Sequence, residues 1–90
     1  MALTDAAEVD RTLRAVLGDI LGLGAGRVQA LDDATPLFGA LPEFDSIAVA
    51  GLLTELEERL GILIEDHEVD ADLIETYGSL LAFAKAKVLT

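Results

Sequence analysis

Leu41-Pro42-Glu43-Phe44-Asp45-Ser46-Ile47 places a serine where a long connection gives way to an amphipathic pattern. Aspartate and serine are among the commonest helix N-caps, so the local reading is a helix that begins at Ser46. From there Ile47, Val49, Ala50, Leu53, Leu56 and Leu60 recur at helical spacing and are expected to face inward, while Glu55, Glu57 and Glu58 stay in water. Gly61 supplies the stop, predicting a helix over 46–60. Glu55 and Arg59 are four residues apart and can pair, at about 0.2–0.5 kcal/mol.

Upstream, residues 27–45 read as a connection longer than most loops in small domains, and such loops are commonly functional. Thr35-Pro36 predicts an N-cap followed by proline at the first helical position, hence a short turn over 36–40. Val28, Leu31, Leu37, Phe38 and Leu41 are apolar enough to pin the loop down. Before it, a helix is predicted over 5–21, with Thr4 as cap and Asp5 and Glu8 in the first turn. Its stripe is Val9, Leu13, Val16, Leu17, Ile20 and Leu21. Gly22, Gly24 and Gly26 end that helix. They are not a nucleotide loop, which needs a strand before it.

Downstream, Ile62, Leu63 and Ile64 lack a partner strand and read as a buried connector. A brief helix is expected over 71–75 and a last one over 76–88, with Tyr77, Leu80, Leu81, Ala84 and Val88 inward. Residues 1–90 therefore form one all-α domain: a bundle of three longer helices and one short helix, with a long loop between the first and second.

The chain carries 17 acidic and 6 basic side chains, a net charge of −11. From Glu43 to Glu75 the only fixed positive charge is Arg59, which makes this third of the chain a docking face for basic partners. The same field repels a phosphate backbone, excluding nucleic acid as a partner, and strong like charge predicts a monomer. There is no cysteine, so no disulfide, thiolate metal site or thiol nucleophile. The longest apolar run, residues 47–53, is far below the roughly 20 residues of a membrane span. Acids near the start, where a signal peptide would be basic, lead to the expectation of a soluble cytoplasmic protein.

The order of these elements resembles the acyl carrier protein family, of the free-standing bacterial type, over nearly the whole length. Three motifs carry the likeness: Thr35-Pro36-Leu37-Phe38, Phe44-Asp45-Ser46-Ile47, and Leu56-Glu57-Glu58-Arg59-Leu60-Gly61-Ile62. The resemblance implies that Ser46 accepts 4'-phosphopantetheine from coenzyme A, and that Asp45 is the neighbouring acid recognised by the phosphopantetheinyl transferase. It implies a non-catalytic carrier whose acyl thioesters pass to acyl-transferring, ketosynthase or ligase enzymes of fatty acid, polyketide or related pathways. Glu55, Glu57 and Glu58 would meet basic patches on those partners. Phe38, Leu53, Leu56, Ile64 and Leu73 would line a pocket for the acyl chain, though each serves equally as core. Ile47 stands where the family has Leu or Met, and Pro42-Glu43-Phe44 where the fatty-acid type has Gly-Ala. A phosphodiester on Ser46 would sit at a helix N-terminus, where free N–H groups and the dipole favour negative charge.

Other classes fit less well. A serine hydrolase needs a base, and the single histidine, His67, lies in the acidic connector with no Gly-x-Ser-x-Gly elbow. Glu65, Asp66, Glu68, Asp70 and Asp72 lack the glycine and terminal glutamate of a calcium loop, so no dedicated metal site is expected. An unmodified acidic helical adaptor is the rival from another class. Within the carriers, a peptidyl or D-alanyl carrier is the alternative.

Overall fold

The computed structural model describes residues 6–38, 41–42 and 44–89. The expected Thr4 cap, Asp5, Gly39, Ala40 and Glu43 lie outside the described residues. Among the described residues four α-helices follow one another, α1 (Ala6–Leu21), α2 (Ala25–Gln29), α3 (Ser46–Leu60) and α4 (Tyr77–Leu89), with a 3-10 turn at Asp66–Glu68 before α4. Among the described residues, β-structure is limited to one isolated bridge, Pro36 with Thr76. The chain is thus the all-α bundle expected.

Helix α1 packs against each of the other three helices. Its Val9, Leu13, Val16 and Leu17 are completely buried, and Leu21 nearly so, while Ile20 sits at the edge of the core. Burying each such aliphatic side chain is worth about 1.5–3 kcal/mol, so this stripe organises the domain. Helices α1 and α3 stop in the same way. Gly22 and Gly61 take the left-handed conformation at φ 68° and 66°. The next residue then donates back across the turn, Leu23 N to Gly18 O at 3.1 Å and Ile62 N to Glu57 O at 3.2 Å. This bond pattern satisfies carbonyls that the helix end would leave free.

Several expectations change. Only Gly22 acts as the stop; Gly24 is the N-cap of α2 and Gly26 lies within it. The short helix is therefore α2, carved from the start of the expected loop. Residues 71–75 form turns instead, because Asp70 Oδ1 accepts the Leu73 N–H at 2.9 Å and bends the chain locally. Thr35 does not cap a helix at Pro36. Its hydroxyl bonds back to Asp32, donating to Oδ1 at 3.0 Å and accepting from Asp32 N at 2.9 Å.

Within α3 the inward stripe is Leu52, Leu56 and Leu60, flanked by the half-buried Val49 and Leu53. Ile47 is 83% exposed and Ala50 is exposed, both on the side opposite that stripe. In the connector, Ile62 and Ile64 pack on the core while Leu63 points to solvent. Helix α4 holds Tyr77, Leu80, Leu81 and Ala84 inward, as the spacing predicts, with Val88 packed at the margin. Its cap is Thr76, whose Oγ1 accepts Ser79 N at 3.1 Å.

The long loop is stitched to the start of α4 by backbone bonds. Leu37 N donates to Glu75 O (2.8 Å), Phe38 N to Ile74 O (3.1 Å), Tyr77 N to Thr35 O (2.9 Å) and Gly78 N to Asp33 O (3.1 Å). That ladder holds the loop so that residue 46 arrives at the domain surface in a fixed place.

Candidate functional site

Ser46 is the first residue of α3 and is exposed. Asp45, not Ser46, is the cap: with extended φ −98° and ψ −177°, its Oδ1 accepts the Ala48 N–H at 2.9 Å and its carbonyl accepts Val49 N at 2.9 Å. The serine hydroxyl is left facing solvent, free of the duty that would otherwise occupy it. The Ser46 and Ile47 N–H groups have no intrahelical acceptor, so the surface around the hydroxyl is an electropositive helix end in a strongly acidic chain.

Phe44 is the anchor that sequence reasoning assigned no role. It is 3% exposed, meets the Phe38 ring edge-on at 6.0 Å between centroids and donates its N–H to Leu41 O at 3.0 Å. A phenylalanine immediately before an Asp-Ser pair is the signal that could have found it. With Phe44 buried and Asp45 capping, the next residue has to emerge at the surface.

The three carboxylates expected at the docking face are not equivalent. Glu58 is exposed. Glu55 is half-buried and holds Arg59 Nε at 3.0 Å, while Arg59 Nη2 reaches Asp19 on α1 at 2.8 Å. Glu57 Oε2 accepts the Ile64 N–H at 2.8 Å and fastens the connector to α3. The exposed side of α3 therefore runs Ser46, Ile47, Ala50, Thr54 and Glu58, small and apolar near the serine and acidic at the far end.

The five expected pocket residues are spread out. Leu56 is fully buried and Leu73 nearly so, Leu53 and Ile64 are half-buried, and Phe38 is 45% exposed against Phe44. None of them lines the cavity of about 180 Å³ that opens beside α2, whose walls are Leu23, Arg27, Ala30, Leu31, Thr35 and Leu41.

His67 is exposed in the 3-10 turn beyond the other end of α3, a helix about 22 Å long. No group of His, Cys, Asp and Glu able to hold a metal ion occurs among the described residues. No helix among them is long and apolar enough to cross a membrane.

Residues 11–86 match the family model of the phosphopantetheine attachment site. The solution NMR structure of a holo acyl carrier protein from Nitrosomonas europaea superposes with a TM-score of 0.78 at 38% identity, covering 88% of this chain and 93% of that one. No curated protein sequence matches. The chain belongs to the phosphopantetheine-binding carrier family, whose prosthetic group is phosphopantetheine. The residues at the head of α3 fit that group: an exposed hydroxyl, unburdened by capping, beside backbone donors suited to a phosphodiester.

Proposed function

We propose that this protein is an acyl carrier in which Ser46 Oγ forms the phosphodiester with 4'-phosphopantetheine donated by coenzyme A. The observation that carries the reading is the division of labour between neighbours: Asp45 caps α3, and Ser46 stands exposed at its first position. When bound, the arm supplies the thiol that a cysteine-free chain lacks, and acyl groups are held on it as thioesters. Ser46 fixes the point from which the arm swings, and tethering raises the concentration of the acyl group at a docked enzyme.

Asp45 has a second carboxylate oxygen outside the capping bond, suited to recognition by the phosphopantetheinyl transferase. Enzymes that load and unload the arm, whether acyl-transferring, ketosynthase or ligase, meet the outer side of α3. Ile47 gives them an apolar contact next to the serine, and the exposed Glu58 attracts basic patches further along, whereas Glu57 is occupied with the Ile64 N–H. Such attraction speeds encounter and is screened over about 8 Å at physiological salt, which suits exchange between partners. The carrier acts as a cytoplasmic monomer in this reading.

The test is intact mass after incubation with coenzyme A, Mg2+ and a promiscuous phosphopantetheinyl transferase. One arm added to the wild type and none to Ser46→Ala supports the reading. No addition to a folded wild type overturns it in favour of an unmodified adaptor. Loading with fatty acyl against aminoacyl donors then separates an acyl carrier from a peptidyl or D-alanyl one.

A further inference from the structure

Phe38 leaves 45% of its surface in solvent, and its ring packs against one that lies close to the attachment serine. It meets the buried Phe44 at 6.0 Å between centroids and 74° between planes, the edge-to-face arrangement that aromatic pairs favour. The Phe38 backbone is fixed from the other side: Phe38 N donates to Ile74 O at 3.1 Å, and Leu37 N to Glu75 O at 2.8 Å. Leu41 N then donates to Leu37 O, and Phe44 N to Leu41 O, both at 3.0 Å. The residues that lead into α4 are thereby joined to Phe44 twice, through backbone turns and through the two rings. Phe44 stands two residues before Ser46, so at most roughly 7 Å of chain separates it from the serine. Ser46 lies in the first turn of α3, whose N–H groups lack intrahelical partners, so its place depends on the residues before it.

We infer that Phe38 is a positioning residue for the modification of Ser46, acting through the Phe44 ring rather than by contact with the reacting atoms. In that reaction Ser46 Oγ forms a bond to the pantetheine-bearing phosphorus of coenzyme A. The bond from that phosphorus to the bridging oxygen breaks, adenosine 3',5'-bisphosphate leaves, and the hydroxyl proton passes to a base of the transferase. Displacement at phosphorus needs the attacking oxygen in line with the leaving group, and a misplacement of about 1 Å can cost on the order of a hundred-fold in rate. Truncating Phe38 removes one of the two fastenings of Phe44 and frees the turn before Ser46. The outer side of α3, where Ile47 and Glu58 meet the enzyme in the carrier reading, is left unaltered. The signature is therefore a loss in kcat with little change in KM. Since Phe38 is already half in solvent, the buried stripes of α1, α3 and α4 stay in place without it.

The inference rests on the carrier reading, and one experiment separates the two. Initial rates of arm transfer from coenzyme A by a promiscuous transferase with Mg2+ are measured against carrier concentration for wild type, Phe38→Ala, Phe38→Leu and Phe38→Tyr. Helical circular dichroism checks each fold, and NMR follows amide exchange at Ala48 and Val49, whose N–H groups bond to Asp45. The expected result for Phe38→Ala is a kcat lower by about ten-fold with KM within about two-fold of wild type, and faster exchange at both amides. Phe38→Tyr, which keeps the ring, restores kcat, and Phe38→Leu, which keeps only apolar bulk, falls between. A wild-type kcat in a folded Phe38→Ala overturns the inference, as does a rise in KM alone, which would make Phe38 a contact for the enzyme. If Phe38→Ala does not fold, a wild-type kcat in Phe38→Leu overturns the role of the ring. In each of these cases Ser46 remains the carrier site, whereas a folded wild type that accepts no arm overturns both readings.

Discussion

Tyr77, at the start of α4, donates its hydroxyl to the carboxylate of Asp10 in α1. Arg14 completes the group: its Nε lies 3.0 Å from Asp10 Oδ2, its guanidinium sits 4.8 Å above the Tyr77 ring, and its Nη1 reaches the Val28 carbonyl of α2. One buried tyrosine thus ties three helices together through charge-assisted bonds. Burial first, and then the bond to Asp10, push the Tyr77 hydroxyl well above the ordinary tyrosine range. For Asp10 burial acts upward, but the bonds from Tyr77 and Arg14 and the Arg14 charge outweigh it and hold the carboxyl below its usual range.

Tyr77→Phe is accordingly expected to cost about 1.5–3 kcal/mol, the range for a hydrogen bond to a charged group, read from urea melts at pH 7. The raised hydroxyl also sets a sign. Above pH ~10 the unfolded tyrosine loses its proton while the folded one keeps it, so the native state binds more protons and stability falls as pH rises. The phenylalanine variant lacks this proton, so its stability should decline less steeply from pH 10 to 11. Equal slopes would show that the Tyr77 proton is not coupled to folding.

Asp45 raises a separate question, because it does two jobs at once. As the cap of α3 it should be worth about 1 kcal/mol, lost in Asp45→Ala and largely kept in Asp45→Asn, whose amide oxygen can accept the same Ala48 N–H. If the transferase also needs the carboxylate, Asn should fold like the wild type yet take up the arm more slowly. Melting temperature and initial modification rate, measured on both variants, separate these contributions. A wild-type rate in Asp45→Asn would leave Asp45 with its structural job alone.

Most of this architecture is legible in the residues, and the places where it is not have physical causes. Helix α1 announces itself because its apolar stripe repeats at 3.6 residues over several turns and ends in glycine; α4 is apolar nearly all round and is marked instead by its hydroxyl cap and by Tyr77, Leu80, Leu81 and Ala84 at helical spacing. Helix α3 is as clear in its ends but not in its inner face. In the nearly continuous apolar run of residues 47–53, periodicity cannot say which side turns inward, and Leu52 rather than Ile47 or Ala50 does. Helix α2 is five residues with two polar ones and no buried side chain, too short for any stripe. Ser46 was visible as the head of a helix, whereas the cavity depends on how the chain after α1 folds back, a long-range outcome that no local pattern encodes.

Gly78 offers a sharper trial of the loop ladder. An added Cβ at residue 78 would lie 2.5 Å from the Asp33 carbonyl oxygen and 2.9 Å from Asp33 Cα, backbone atoms that cannot rotate aside. Gly78→Ala must therefore push the loop off α4 and break the bond from Gly78 N to Asp33 O. An exposed helical Gly→Ala change usually stabilises by roughly 0.5–1 kcal/mol. Here the expected result is the opposite, a loss of about 1–3 kcal/mol as overpacking does, read from urea melts, with faster amide exchange at residues 37 and 38. A more stable variant would mean that the loop is not held as closely as this contact requires.

The last prediction concerns the charge itself. Seventeen carboxylates against six cations leave a domain that repels itself, while the ion pairs among the described residues, Arg59 with Glu55 and Asp19 for example, are all at least partly open to solvent. Added salt screens both effects. Surface pairs contribute little, so their weakening should be outweighed by relief of the repulsion summed over the whole chain. The melting temperature is therefore expected to rise between about 10 and 200 mM NaCl, where the Debye length shrinks from roughly 30 Å to below 8 Å, and to rise further with millimolar Mg2+. Arg59→Ala, which removes the clamp joining α1 and α3 and adds one more net negative charge, should melt lower than wild type at low salt and recover part of the gap at high salt. A wild-type melting curve insensitive to salt would mean that the carboxylates are spaced widely enough for repulsion not to matter, and a gap that widens with salt would mean that the Arg59 clamp, not the excess charge, governs the low-salt stability.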